Sequence, residues 1–465
     1  MKMATARTDA TRPPANEPGG VTLVLGMGGT GVSCARFLAA RATRAIFADT
    51  RAVPPGMAAI RAAMPGAAIL QGGPPATVPA GVNRILVSPG VDLRLPVLAD
   101  ARKRAIPVLS DIDLFVAEAA APITAITGSN GKSTVTSMVG AMLDGAGVRA
   151  GVGGNLGTPA LELLGPDVRH YVLELSSFQL ERSAPVPTAS AVVLNITPDH
   201  LDIHGDMATY TAAKARIYAR CGLAVVNRDL PELAALVPAG TPTVGFGLGA
   251  PSGRNRDTDF GLTERSDGAW LSRGTEPLLP VAELHVTGRH NVSNALAALA
   301  LGTAVAGVGL HDLLPGLRGY RPLQHRMTLV ARRNGVTWID DSKATNVGAA
   351  VTSIGSVDGP LVLIAGGDGK GASFESVADA LRGRQCAAVL LGRDRELLAT
   401  ALAEVCPVHR VDDMPAAVSQ AATLARPGWT VLLAPACSSL DMFRDYAARG
   451  VAFSAAVAAL GGGDA

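Results

Sequence analysis

Thr127-Gly128-Ser129-Asn130-Gly131-Lys132-Ser133-Thr134 is the segment of this chain best suited to chemistry. Its glycines let backbone N–H groups turn inward around phosphate oxygens, and a helix starting beyond them adds positive potential. Lys132 supplies a compact charge for the β- and γ-phosphates of a nucleotide, and the Ser133 hydroxyl is placed to reach magnesium. The strict eight-residue loop has glycine at its first position, where this chain has Ile126, so the loop is a shortened G-x-x-G-K-S form. A magnesium nucleotide asks for hard oxygen ligands and few of them from protein. Glu174 stands inside the apolar run YVLELSS, where a carboxylate is costly without a partner. His200 lies in NITPDHLD, just past another apolar run. Beside a phosphate loop in one unit, both are candidate magnesium ligands.

Nearer the N-terminus, Gly26-Met27-Gly28-Gly29-Thr30-Gly31 fits G-x-G-x-x-G directly after VTLVLG. Asp49 closes the next apolar run, RAIFAD, about 20 residues on, where dinucleotide sites keep an acid for a ribose hydroxyl. A nicotinamide-dependent dehydrogenase is therefore the rival from another class. It leaves the second phosphate loop unexplained, and the glycine loop alone binds phosphate without specifying nicotinamide.

Each loop needs a strand to enter it and a helix to leave it, and the chain supplies both. From Val21, short β-branched runs alternate with Ala-rich helical stretches, the pattern of parallel α/β layers. VTLVLG, RAIFAD and RILVSPG are strands of a first unit, with a helix over residues 30–40. ITAITG, YVLELSS and ASAVVLNIT belong to a second, in which the Gly-rich residues 248–274 form loops or hairpins. VTWIDD, PLVLIAGG, CAAVLLG and WTVLLAPA build a third. The expected division is a disordered leader at 1–20 and α/β domains at 21–110, 111–321 and 322–465.

Composition narrows the partners. The chain has 465 residues and a near balance of 41 Lys+Arg against 39 Asp+Glu, so no basic excess points to nucleic acid. Aromatic residues, at 4%, are too few for base-stacking platforms. Residues 1–20 lack the apolar core of a signal peptide. The longest uncharged apolar stretch, 295–310, falls short of the ~18 residues that span a bilayer and suits a buried helix. Cys34, Cys221, Cys386, Cys406 and Cys437 form no CxxC pair and read as buried thiols in a reducing, cytoplasmic compartment.

The strings TGSNGKST, GVGGNLG, LELSSFQLE, NITPDHLD, YTAAK, GRHNVSNALAALAL, HRM, DDSKATN, GGDGK and PACSSLD, in this order, resemble the Mur ligases, and within them the glutamate-adding branch. The resemblance runs from about Val21 to the C-terminus. It implies three domains with mainly parallel sheets: Rossmann-like, P-loop ATPase-like and Rossmann-like. It also implies a monomeric ATP-dependent amide-bond ligase with UDP-N-acetylmuramoyl-L-alanine and D-glutamate as substrates, and with no nucleic-acid or membrane partner. ATP would phosphorylate the substrate carboxylate, and the amine of glutamate would attack the acyl phosphate.

Roles follow by position. The first domain would hold uridine diphosphate rather than NAD, through Gly28, Thr30, Asp49, Arg51, Ser88, Pro89 and Gly90, with Asn155 and His200 reaching the substrate from the second. Gly128 to Thr134 (Gly128, Ser129, Asn130, Gly131, Lys132, Ser133, Thr134) would hold ATP with Asn291, Asn294, Arg326 and Asp341. Asn291 and Asn294, at i and i+3, share one helix face. Ser133, Glu174, His200 and Lys214 would hold magnesium, and Lys132, His200, Lys214 and Lys343 would be catalytic. Thr345, Lys370, Ser439, Leu440 and Tyr446 would bind glutamate. Two positions depart from the family: Asp340 stands where Asn is expected, and Tyr446 where Phe is.

Lys214 carries the most specific expectation. YTAAK matches the family segment whose lysine is carbamylated, and an ammonium there would repel a metal that a carbamate would attract. Partial burial favours the neutral amine that carbon dioxide requires. Finally, ATP residues split between Lys132 in the second domain and Asp341 and Lys343 in the third imply that the third domain closes about residues 321–326.

Overall fold

The computed structural model describes residues 20–252, 255, 257–286 and 288–460, so all but the last residue of the expected leader lies outside the described residues. Within them are three sheets, one for each expected unit.

The first sheet contains β1 (Val21–Leu25), β2 (Arg44–Ala48), β3 (Ala68–Leu70), β4 (Val82–Val87) and β5 (Val108–Leu109) in the order β3-β2-β1-β4-β5, all parallel. VTLVL is buried at every position, the continuous apolar run a strand covered on both faces requires. Strand order reverses between β1 and β4, which opens a crevice at their carboxyl ends. Gly26 and Ser88 lie there.

The middle sheet comprises β6 (Ile123–Thr127), β7 (Ala150–Gly154), β8 (His170–Glu174), β9 (Ser190–Val193), β10 (Ala224–Asn227), β11 (Thr243–Phe246), β12 (Phe260–Arg265), β13 (Gly268–Arg273) and β14 (Glu276–Pro280). Its order is β14-β13-β12-β11-β10-β9-β6-β8-β7, with β6 flanked in parallel by β8 and β9. Three neighbouring strands thus deliver the phosphate loop, Glu174 and the segment leading to His200 to one edge. The Gly-rich stretch 248–274 supplies the antiparallel hairpin of β12 and β13, which extends this sheet. The helix Lys132–Gly145 behind the loop is seated backbone-to-backbone on the helix Leu310–Gly319. A Cβ at Gly316 would come 2.2 Å from the Ala141 carbonyl oxygen, so only glycine permits this approach.

The third sheet contains β15 (Thr328–Arg333), β16 (Val336–Asp340), β17 (Leu361–Gly366), β18 (Cys386–Leu391), β19 (Val408–Arg410) and β20 (Thr430–Leu433), ordered β15-β16-β20-β17-β18-β19. Only β15 runs antiparallel to its neighbour; the rest are parallel. The carboxyl ends of β16 and β17 lead into Asp341 and Lys343 and into Lys370.

Two expectations need correction. Residues 295–310 are not one helix: the helix Arg289–Gly302 is buried from Asn294 onward, but Gly307 then adopts φ +79° and a second helix starts at Leu310. Cys34, Cys386 and Cys437 are buried as expected, whereas Cys221 and Cys406 lie beside strand ends and are partly exposed. No helix among the described residues is long and apolar enough to cross a membrane.

Candidate active site

The crevice at β1 and β4 is a cavity of about 720 Å³ whose wall includes Gly28, Thr30, Asp49, Arg51, Ser88, Pro89, Gly90 and Asn155. Of the expected UDP-substrate contacts only His200 lies elsewhere. Asp49 organises the loop: one carboxylate oxygen accepts from Met27 N–H at 2.7 Å, and both accept from the Arg51 guanidinium. The hydrogen bonds from Arg51 hold this carboxyl well below the usual range, against the opposing effect of burial. The fingerprint acid is thus already engaged in shaping its own loop, and the arginine beside it offers the cavity a positive charge.

A second cavity, of about 420 Å³, opens between the middle and third domains. It is walled by Ser129, Asn130, Gly131, Lys132, Ser133 and Thr134, by Asn291 and Asn294, and by Glu174, His200, Arg326, Asp341, Lys343 and Thr345. Gly131 is left-handed at φ +84°, and a Cβ there would press to 2.6 Å from Asn294 Oδ1. Lys132 Nζ donates to the carbonyls of Gly128 and Ser129 at 2.8 Å each, which holds the ammonium over its own loop. Asn195, two residues past the end of β9, clasps the loop by accepting from Asn130 N–H at 2.8 Å and donating to Asn130 O at 3.1 Å. Asn294 donates to Asn291 Oδ1 at 3.2 Å, as expected for a shared helix face.

Glu174 is 2% exposed, with one oxygen accepting from Asn155 Nδ2 at 2.6 Å and the other, Oε2, buried without a partner. Asn155 lines both cavities, which therefore adjoin at this residue. Burial lowers His200 to about 4, leaving its imidazole neutral at physiological pH and free to act as a ligand. Among the described residues no group of three or more His, Cys, Asp or Glu side chains is gathered into a metal cage. The buried, unpartnered carboxylate oxygen and the Ser133 hydroxyl nevertheless fit a hard cation that takes its other ligands from phosphate and water. Lys214 lies behind the loop rather than on the cavity wall, 2% exposed, donating to Gly128 O at 2.9 Å. Burial, reinforced by Lys132, pushes its amine well below the ordinary lysine range.

On the third-domain side, Asp341 accepts from Ser353 Oγ and, at 3.3 Å, from Met327 N–H. Lys343 Nζ lies 3.9 Å from the centre of the Tyr446 ring. Lys370 reaches across the domain boundary to Asp199 Oδ1 at 2.8 Å, while Asn346 donates to Asp199 Oδ2 at 3.0 Å. A small third cavity is bordered by Asp199, His200, Thr345 and Lys370. Ser439, Leu440 and Tyr446 line none of these three cavities: Ser439 is buried, and Leu440 is 71% exposed. The expected glutamate residues are therefore only partly brought together. Asp199, Asn195 and Asn346 were not singled out by sequence reasoning, although each lies in or beside a quoted string.

Three family models match the chain: "Mur ligase MurD-like, N-terminal domain" over residues 21–110, "Mur ligase middle domain" over 126–302, and "Mur ligase, glutamate ligase domain" over 325–437. The UDP-N-acetylmuramoylalanine--D-glutamate ligase of Nitrosococcus oceani is 47% identical over 441 residues, covering 94% of this chain and 96% of its own length. The Pseudomonas aeruginosa protein of the same name is 47% identical over 439 residues, covering 94% and 97%. Among solved structures, the UDP-N-acetylmuramate-alanine ligase of Thermotoga maritima matches with a TM-score of 0.60 at 20% identity, covering 93% of this chain and 98% of that one, a likeness of fold.

Proposed function

The chain belongs to the Mur ligase family, and from that premise we propose that its two adjoining cavities serve one reaction. It is an ATP-dependent ligase of peptidoglycan biosynthesis that joins D-glutamate to UDP-N-acetylmuramoyl-L-alanine, releasing ADP and phosphate. The position of Asn155 carries this reading: it walls both cavities and bonds Glu174, so a UDP-sugar held at Asp49 and Arg51 points its far end toward the phosphate loop. The dehydrogenase alternative is set aside, because the glycine loop belongs to a Mur-type N-terminal domain. Phosphate release that waits for both acceptor and D-glutamate is the expected behaviour, measured by a phosphate assay.

The chemistry is phosphoryl transfer followed by acyl transfer. The substrate carboxylate attacks the γ-phosphate in line, and ADP leaves. The amine of glutamate then attacks the acyl phosphate, and the tetrahedral adduct expels phosphate to give the amide. Both steps concentrate negative charge, so the protein's task is neutralisation and alignment more than covalent help. Lys132 and the backbone N–H groups of the loop embrace the phosphates, with Arg326 and Lys343 facing them from the third domain. Ser133 and Glu174 would hold one magnesium, and His200 with a carbamylated Lys214 a second, supplying positive charge against the phosphates. Asp341 would take the ribose, and Asn291 and Asn294 the nucleotide.

Lys370 and Thr345 would meet a glutamate carboxylate, with Ser439, Leu440 and Tyr446 joining them when the third domain closes about residues 321–326. Helix Asp111–Glu118 supports a border at residue 110: its Phe115 packs edge-on at 4.9 Å against Tyr171 of the middle sheet. We read the enzyme as a cytoplasmic monomer without membrane partners, as the family resemblance implies, and without nucleic-acid partners, since charge is nearly balanced at 41 Lys+Arg against 39 Asp+Glu.

Lys343 gives this reading a pH signature. Burial, aided by Arg326, lowers it to about 8, so its ammonium is present at neutrality and lost as pH rises through that value. The KM for ATP is expected to climb above pH 8 in the wild type. Lys343→Arg, whose guanidinium stays charged there, should flatten the profile. The same alkaline rise in that variant would assign the titration elsewhere.

A further inference from the structure

The chain passes from the middle to the third domain through His325, Arg326 and Met327. His325 and Met327 have φ of +62° and +47°, left-handed conformations that non-glycine residues adopt only when their surroundings enforce them. The residue between them, Arg326, lines the second cavity. Three bonds from the end of β16 hold this strap. His325 Nδ1 lies 2.6 Å from Asp340 Oδ2, with the two side chains 13% and 2% exposed. Lys343 N–H donates to His325 O at 3.1 Å, and Met327 N–H to Asp341 Oδ1 at 3.3 Å. Asp340 is itself fixed, its other oxygen accepting from Ser342 N–H at 2.8 Å.

The helix Tyr446–Ala459 closes the back of this arrangement with a glycine. A Cβ at Gly450 would stand 2.2 Å from His325 Nδ1 and 2.7 Å from Asp340 Oδ2. Beside it, Arg449 is 2% exposed and ties Ser342 to the Cys437 carbonyl, bracing the turn that follows Asp340 at the end of β16. Glycine inside a helix is ordinarily worse than alanine. Its presence here keeps space for the pair.

We propose that His325 and Asp340 form a clamp of positioning residues that holds the left-handed strap and thereby delivers Arg326 to the nucleotide. The proposal rests on the reading of the second cavity as the ATP site. Asp340, which stands where the family pattern has Asn, is the fixed half of the clamp, and the substrate-binding cavity of the first domain lies outside its reach.

The test is a double-mutant cycle on kcat/KM for ATP. Asp340→Ala is expected to lose about 10- to 100-fold, the cost of misplacing a group without removing it. In an Arg326→Ala background the same change should cost little further, because the arginine it positions is gone. Gly450→Ala, which leaves both clamp side chains in the chain, should reproduce this pattern. Asp340→Asn, which keeps an acceptor at the same place, should restore most of the activity. Binding of UDP-N-acetylmuramoyl-L-alanine without ATP should be unchanged throughout. Equal losses from Asp340→Ala in both backgrounds, or an Asn variant as impaired as Ala, would overturn the clamp alone. An Arg326→Ala enzyme with unaltered ATP kinetics would overturn it at its premise, the nucleotide reading.

Discussion

Lys214→Ala is expected to lose on the order of 10³-fold in kcat, and formate or acetate to return part of that loss. The amine is 2% exposed, bonded to the Gly128 carbonyl, and biased toward its neutral form by burial and by Lys132 nearby. A neutral amine is the form that adds carbon dioxide: nitrogen donates its pair to carbon, a proton leaves, and an anionic carbamate results. That converts a group that repels magnesium into an oxygen ligand of the kind it prefers. A plain structural role is the competing account, because Lys214 also supports the phosphate loop through Gly128. The two accounts separate on rescue. A small carboxylate can occupy the space vacated in the alanine variant and replace an anion, but it cannot replace an ammonium that donates to a carbonyl. Lys214→Arg should not be rescued, since its bulk and charge remain. Near-normal turnover in Lys214→Ala, or a loss that no carboxylate repairs, would rule the carbamate out.

Lys132→Ala should be at least as damaging, with about a 10³-fold loss or more, falling mainly on kcat. Its ammonium is held by two loop carbonyls at 2.8 Å, so the charge is in place before nucleotide arrives and costs little to reorganise. Charge that builds on the transferring phosphoryl group is then met by a fixed cation, which stabilises the transition state more than bound ATP. The variant should still bind UDP-N-acetylmuramoyl-L-alanine normally, because that cavity is built by other residues. An enzyme retaining turnover within about tenfold of wild type would remove Lys132 from the transition state.

Which residues gather at the candidate site could largely be read from the chain, for a reason visible in the middle sheet. Each apolar run that forms a central strand ends beside a residue with chemistry: β6 at the phosphate loop, β8 at Glu174, β9 shortly before His200. Parallel neighbours place such ends together, so strand runs alone locate the site. What could not be read depends on separation and on domain arrangement. Asp199 meets Lys370 171 positions away, and no spacing rule connects them. Asp340 was visible as a departure from the family, yet its partner His325 emerges only when β16 is laid beside the strap. Ser439 and Leu440 matched glutamate contacts by position, but position does not say which surface they face in a given arrangement of domains. The stretch 295–310 misled because it is apolar throughout, although one helix ends at Gly302 and a turn with Gly307 at φ +79° leads to the next at Leu310.

The most direct measurement of the central claim is phosphate release from ATP with the acceptors supplied singly and together. Enzyme with ATP and magnesium should release little phosphate with UDP-N-acetylmuramoyl-L-alanine alone or D-glutamate alone. Both together should give sustained release matched one for one by amide product, and L-glutamate in place of D-glutamate should not. Release independent of the UDP-substrate, or turnover with L-glutamate equal to or faster than with D-glutamate, would contradict the account.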